Sequence, residues 1–341
     1  MKAEIVIVGA GVLGTSAAYH LARRGCRDIV VLDRAPDFGG GSTAKATGGF
    51  RAQFDNETEV RLSMLSREKL LAFEEETGVD SGYRQRGYLF LACDDAELDA
   101  LRDAQRVQHA SGLAEARMVT ADEARALCPA IADARVIGGA FCPTDGFLRP
   151  MNVLRGYAEA AQRLGVRFEF GADTSLEHDA RIVVNARGAW CGMPVTPLRR
   201  NVAATIATDA LPESTPMTIW SGDWFHFRVR DGRVLLLWPD DPVVDDWLER
   251  VQEMTRTRVP SLAELPIEET WSGFYEMTPD GRALLGHIRD NLYILGGCSG
   301  HGVMHAPALG QLFAELIVDG KTSLDVSALD PHRFDSVNPS S

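Results

Sequence analysis

The sequence predicts an α/β protein in which a parallel-sheet domain is interrupted by a second, strand-rich domain. Three observations predict it. A strand, a glycine turn and an amphipathic helix open the chain at "EIVIVGAGVLGTSAAYHLARRG". Strand, glycine loop and helix return at "NLYILGGCSGHGVMHAPALGQLFAELIVDG". Between them, residues from about 200 to 277 are dominated by strand-like and aromatic runs such as "MTIW", "WFHFRV" and "RVLLLWP".

The elements follow in order. "DIVVLDR" reads as a second strand ending in Asp33. "NETEVRLSMLSREKLLAFEEETG" has apolar residues at helical spacing, with Asn56 and Glu59 placed as a capping box. "RGYLFLAC" is a strand and "DDAELDALRDAQRVQHASG" a mostly exposed helix. "TADEARALCP" offers a second capping box, Thr120 to Glu123, and stops at Pro129. Pro150 stands near the start of a helix that is followed by a strand, and "ARIVVNARGAW" is a buried-type strand running into a glycine turn. "DDWLERVQEMTRTR" is helical, and "SVNPSS" is a loose tail. The expected division is residues 1–80, 142–195 and 280–335 for the nucleotide domain, and 81–141 with 196–279 for the substrate domain.

Bulk properties exclude several functions. The 341 residues can bury a sizeable core, and 45% hydrophobic with 24% charged residues is ordinary for a soluble globular chain. A net charge of -13 argues against binding a nucleic-acid backbone. Six cysteines show neither C-x-x-C nor metal-ligand spacing, so we expect no metal and reduced, mostly buried thiols in a cytoplasmic protein. The apolar run "AEIVIVGAGVLG" has no basic leader and is too short to span a bilayer.

Gly9, Gly11 and Gly14 form G-x-G-x-x-G between strand and helix. The first glycine allows the tight turn, the second lets backbone approach a pyrophosphate, and the third lets helix pack on strand. With Val12 at the helix start, whose free N–H groups suit phosphate, and with Asp33 and Arg34 after the second strand, this is a dinucleotide site. A nicotinamide enzyme would continue with alternating helices and strands. Here "GGGSTAKATGGFRAQF" follows directly, small-residue and without apolar period, which favours a flat ligand lying close to backbone and so FAD over NAD(P).

Several segments together resemble the D-amino-acid oxidase-like flavoprotein superfamily, and within it the glycine oxidase and sarcosine oxidase branch, including sarcosine oxidase beta subunits. They are "VGAGVLG" with "VLDR", "GSTAKATGGFRAQF", "VVNARGAW", "WSGFYEMTPDGRALLG" and "LGGCSGHGVMHAPALG", spread over nearly the whole chain. The resemblance implies a glutathione-reductase-like FAD-binding Rossmann domain and oxidation of an amine beside a carboxylate. It places Ser42, Thr43, Lys45, Ala46, Thr47, Gly48 and Gly49 along the flavin ring. Gly188 and Trp190 join the cofactor site, and Gly300, His301, Gly302, Val303 and Met304 aim a helix N-terminus at the flavin's pyrimidine side, where reduction puts negative charge.

By the same match, Arg51 holds the place of an arginine that grips the substrate carboxylate, and Tyr275 that of a cavity tyrosine; these are the candidate catalytic residues. A guanidinium pairs bidentately with a carboxylate and would fix the adjacent C–H. Sarcosine oxidases that attach flavin covalently have a cysteine just before that tyrosine; Gly273 stands here, so non-covalent FAD is expected. Met304 replaces a lysine, which suggests a more hydrophobic substrate than sarcosine. Trp220, Phe225, Phe227 and Trp238 are aromatic enough to line such a pocket and equally suited to a strand core.

The expected function is FAD-dependent oxidation of the C–N bond of glycine or an N-substituted glycine to an imine. The imine hydrolyses to glyoxylate plus amine, or to aldehyde plus glycine, while O2 becomes H2O2. Alternatives are a dehydrogenase passing electrons to another acceptor, and a non-catalytic nucleotide-binding protein. The expected partners are a small-molecule amine and O2, with no nucleic acid and no membrane, in a monomer, homo-oligomer or hetero-complex.

Overall fold

Ile5–Val8 is a run of four apolar residues buried on both faces: Ile5 and Ile7 pack into one cluster, Val6 and Val8 into another. That is the pattern of a central parallel strand, which needs a continuous apolar run rather than alternation. The computed structural model describes residues 3–240 and 244–337. Its six-stranded sheet has the order Leu284–Arg289, Leu292–Gly296, Ile182–Asn185, Ile5–Val8, Ile29–Asp33, Arg167–Phe170. All pairings are parallel except the first, a hairpin. The chain leaves Ile5–Val8 toward one side and returns on the other, and ligands bind outside the carboxyl ends of strands at such a reversal.

Helices Val12–Arg23, Pro150–Arg163 and Gly302–Asp319 pack together over one face of this sheet. The first and last lie so close that a Cβ on Gly310 would stand 2.1 Å from Ser16 Oγ. Pro307 inside the last helix is tolerated because hydroxyls of neighbouring helices serve the backbone around it. Ser16 Oγ donates to the Ala306 carbonyl at 2.7 Å, and Ser66 Oγ accepts from the Ala308 N–H at 3.2 Å.

The eight-stranded sheet runs Ile267–Met277, Thr196–Thr205, Arg233–Leu237, His226–Arg230, Met217–Trp220, Tyr88–Ala92, Gly138–Cys142, Arg117–Thr120. Strand alternation sorts its two faces. Leu89, Leu91, Phe227, Val229, Val234 and Leu236 bury against the Trp247–Arg258 helix. Tyr88, Phe90, Met217, Ile219, Leu235 and Leu237 face the other way. By register, His226, Arg228, Arg200, Trp271, Gly273 and Tyr275 share that second face.

The Thr120–Glu123 capping box forms in full, with Glu123 N–H donating to Thr120 Oγ1 at 3.2 Å and Thr120 N–H to Glu123 Oε2 at 2.8 Å. The Asn56–Glu59 box forms only by half. Asn56 Oδ1 accepts from the Glu59 N–H at 3.0 Å, while the Glu59 side chain turns inward and is buried. The tail from residue 338 onward lies outside the described residues. All six cysteines are free thiols, four buried and two half-buried, and no described helix is long and apolar enough to cross a membrane.

Candidate active site

The glycine turn after Ile5–Val8 is shaped by close approach. A Cβ on Gly9, at φ +117°, would sit 2.2 Å from the Ala186 carbonyl, and one on Gly14 would sit 1.9 Å from the Gly9 carbonyl. A Cβ on Gly11 would meet only Thr43 Oγ1, at 3.7 Å, so its backbone stays open to a ligand. The helix beginning at Val12 has no side-chain cap on Gly11, and the Val12 N–H reaches Thr43 Oγ1 at 3.3 Å. Asp33 is pinned at its strand end by the N–H groups of Ala10 at 2.7 Å and Ala35 at 2.8 Å. Arg34 is exposed and stands 5.8 Å from the ring centre of the half-exposed Trp190, in the turn that Gly188 begins at φ +59°.

The 41–49 loop is held by the second sheet. Ser42 Oγ donates to the Phe274 carbonyl at 2.8 Å, Trp271 Nε1 to the Lys45 carbonyl at 3.0 Å, and Arg228 Nη1 to the Thr47 carbonyl at 2.7 Å. Gly48 packs on the Leu148 carbonyl and Gly49 on the Tyr88 hydroxyl, with no space for a side chain at either. Thr43 is buried, Ala46 and Thr47 are half-buried, and Ser42 and Lys45 are exposed.

The last glycine loop brings Tyr275 to the same place. Gly300, at φ +94°, lies under the Tyr275 ring, where a Cβ would approach within 2.4 Å of the ring carbons. Tyr275 keeps 39% of its surface exposed. His301 precedes Gly302 at the helix start. Gly302 and Val303 are half-buried, whereas Met304 is 4% exposed and packs into the apolar core of the first sheet.

Arg51 sits at the centre of this arrangement. Its guanidinium lies 3.9 Å from the Phe54 ring centre and 5.6 Å from that of Phe90. Nη1 donates to the Gln53 carbonyl at 2.7 Å, and Nη2 faces His301 Nε2 at 3.4 Å. Because a guanidinium only donates, His301 Nε2 carries the lone pair and Nδ1 the hydrogen. Nδ1 is buried without a partner among the described residues, as is Glu276 Oε2 beside the glycines of the same loop. Burial lowers the Arg51 pKa, and Tyr88 and Asp145 oppose that shift. Burial, then Arg51, holds His301 well below the usual histidine range. Of this pair, the charge is therefore carried by Arg51 and not by His301.

Of the aromatic residues considered for a substrate pocket, the core role prevails. Trp220, Phe225 and Phe227 are buried among the side chains under the Trp247–Arg258 helix, with Trp220 Nε1 bonded to Asp133, and Trp238 packs against the same cluster. The half-period of the strands puts them on the wrong face. The apolar residues on the facing side include Phe90, Tyr88, Met217, Ile219, Leu235 and Leu237.

Sequence reasoning missed four polar residues here. Arg228 is 4% exposed with no acid in contact among the described residues, its guanidinium 3.6 Å from the Phe147 ring centre, and burial lowers its pKa to about 10. His226 holds the Trp224 carbonyl through Nδ1–H at 2.7 Å, and burial pulls it to about 4. Glu59 and His305 form a buried pair, Oε2 to Nδ1 at 3.5 Å. The four-residue spacing of His301 and His305 on one helix face was the available signal for the last.

Two close-packed glycines, an open third, a helix start whose N-cap glycine supplies no side chain, a pinned carboxylate and two orphaned buried polar atoms fit a dinucleotide of the FAD type. Comparison with known proteins agrees. The family described as FAD dependent oxidoreductase (DAO) matches residues 4–316. The chain is 27% identical, over 99% of its length and 84% of the relative's, to FAD-dependent oxidoreductase domain-containing protein 1 of Xenopus laevis. In structure it is similar to L-proline dehydrogenase from P. horikoshii, with TM-score 0.90, 29% identity and 99% of each chain covered. Glycine oxidase from Geobacillus kaustophilus superposes with TM-score 0.85 at 23% identity, covering 97% of this chain and 99% of that one.

Proposed function

The chain belongs to the DAO family of FAD dependent oxidoreductases, and from that premise we propose that it oxidises the C–N bond of glycine or an N-substituted glycine. In the N-substituted case the substrate is a secondary amine with a hydrophobic substituent. The imine formed hydrolyses to glyoxylate plus amine, or to aldehyde plus glycine, and O2 is reduced to H2O2. The observation that carries this reading is Arg51: a guanidinium on an aromatic bed, with no acid in contact among the described residues, beside a histidine kept neutral.

Bound FAD supplies the hydride acceptor. Arg51 holds the carboxylate and thereby orients the adjacent C–H. Phe54, Phe90 and Ile219 exclude water and give the nitrogen substituent an apolar wall. Tyr275, fixed over Gly300, closes the cavity from the edge of the second sheet. The cofactor is held without a covalent bond: Gly273 packs against Lys45, and Cys298 is 2% exposed with its thiol pushed up by burial and by Glu276, a poor nucleophile.

A panel of glycine, sarcosine, longer N-alkylglycines, N-carboxymethyl amino acids, proline and D-amino acids, mixed anaerobically with the enzyme, tests the reading by bleaching of the flavin. Arg51→Ala should weaken capture of the acid by roughly 2–5 kcal/mol; an unchanged apparent affinity would remove Arg51 from its role. The similarity to L-proline dehydrogenase favours a second reading, the same chemistry with a non-oxygen acceptor. Peroxide formed under air in step with product excludes it.

A further inference from the structure

The wall behind Arg51 contains an acid that the chemistry above leaves unused. Glu59 is 4% exposed on the Glu57–Leu71 helix, and its Oε2 has no hydrogen-bond partner among the described residues. It stands 3.5 Å from Nδ1 of His305, which is 1% exposed and meets Ser63 Oγ through Nε2 at 2.8 Å. The His305 ring lies 5.8 Å from both Phe54 and His301. Those two residues carry Arg51, so a chain of contacts runs from Glu59 through His305 to the residues that hold the guanidinium.

We propose that Glu59 is a resting counter-charge of Arg51, alongside Asp145 on the neighbouring Ala52 N–H, and the proton-holding residue of the substrate site, taking up a proton when a substrate carboxylate pairs with Arg51. This rests on Arg51 being the carboxylate anchor. The groups facing Glu59 are His305 on the Gly302–Asp319 helix, Cys298 in the glycine loop, Arg51 and Asp55 before its own helix, and Asp280 with Arg282 before the Leu284–Arg289 strand. Burial raises Glu59 to about 7, and Arg51 is the largest influence drawing it down. Burial, then Arg51, pulls His305 to about 3 and keeps it neutral. Two carboxylates beside one guanidinium in a water-poor wall repel each other, so arrival of the second favours protonation of the first. The proton balance closes. An amino acid entering as a zwitterion loses its ammonium proton while Glu59 gains one, leaving the amine with the free lone pair that C–H cleavage requires. A simple carboxylate brings no such proton, and Glu59 then takes one from solvent.

Acetate titrated into the FAD-loaded enzyme, followed by flavin absorbance and by calorimetry in phosphate and Tris buffers, tests this at pH 7.5. Wild type should take up about 0.5–1 proton per acetate, with affinity falling as pH rises above ~7, by at most ~10-fold per unit. Glu59→Gln should bind acetate with uptake near zero and affinity flat from about pH 6 to 8.5. Acetate binding to wild type without proton uptake overturns the proposal with no variant needed, as does equal uptake in a folded, flavin-retaining Glu59→Gln. Acetate that binds Arg51→Ala as tightly as wild type is a different result: it removes the carboxylate anchor, and this inference with it.

Discussion

Gly300 shows how narrowly one residue can be specified. Its φ of +94° is one that side chains rarely adopt, and the Tyr275 ring occupies the space a Cβ would need. Gly300→Ala should cost about 1–3 kcal/mol from backbone strain alone, and it should displace Tyr275. A lower thermal midpoint with a changed flavin spectrum on acetate binding is the expected result, and a variant identical to wild type in both would refute it. At this scale, sequence reasoning works where geometry leaves a composition trace. Gly9 and Gly14 were legible because their packing forbids any side chain. Glu59 was not, because the same S/T/N-x-x-E spacing that caps one helix at Thr120 delivers a buried acid in the Glu57–Leu71 helix.

Among the elements, the 41–49 loop depends on strands far from it in sequence. Arg228, on His226–Arg230, spends a buried guanidinium on the Thr47 carbonyl. Arg228→Met keeps the volume and removes the bond, so FAD release should speed up by about tenfold, the effect of losing one charge-assisted bond. Flavin fluorescence after dilution measures it; an unchanged release rate would show that the loop holds its shape unaided. Strand-like runs at 217–237 were legible from their β-branched and aromatic content. Which face each strand buried was not, because both faces of this sheet are apolar and alternation carries little contrast. That is why Trp220 and Phe227 suited a pocket on paper and lie in the core.

The whole molecule carries acids whose folded pKa is raised. Burial holds Glu59 near 7 and Asp145 near 6, the latter while accepting from the Ala52 N–H and Gln53 Nε2. The folded chain keeps protons there that the unfolded chain has released above about pH 4–5. Their contribution to stability is therefore full below that range and is lost as pH rises through 6 and 7. Denaturant midpoints should fall between about pH 5 and 8, on the order of 2–3 kcal/mol from Glu59, and Glu59→Gln should flatten that part of the slope. An equal slope in the variant would place the titration elsewhere. The fold class was legible because strand, glycine turn and helix come twice in a fixed order, at residues 5–23 and 292–319. The long strands Thr196–Thr205 and Ile267–Met277 had no such signature, since proline, arginine and glycine interrupt their apolar period.

The carbonyls of Lys45 and Thr47 belong to one half of the architecture and are bonded by Trp271 and Arg228 of the other. Anyone transplanting the six-stranded sheet and its glycine loops into a new scaffold would have to carry both of those donors along. Trimmed at the obvious seam between the sheets, the graft would keep its glycines and lose the clasp that shapes them.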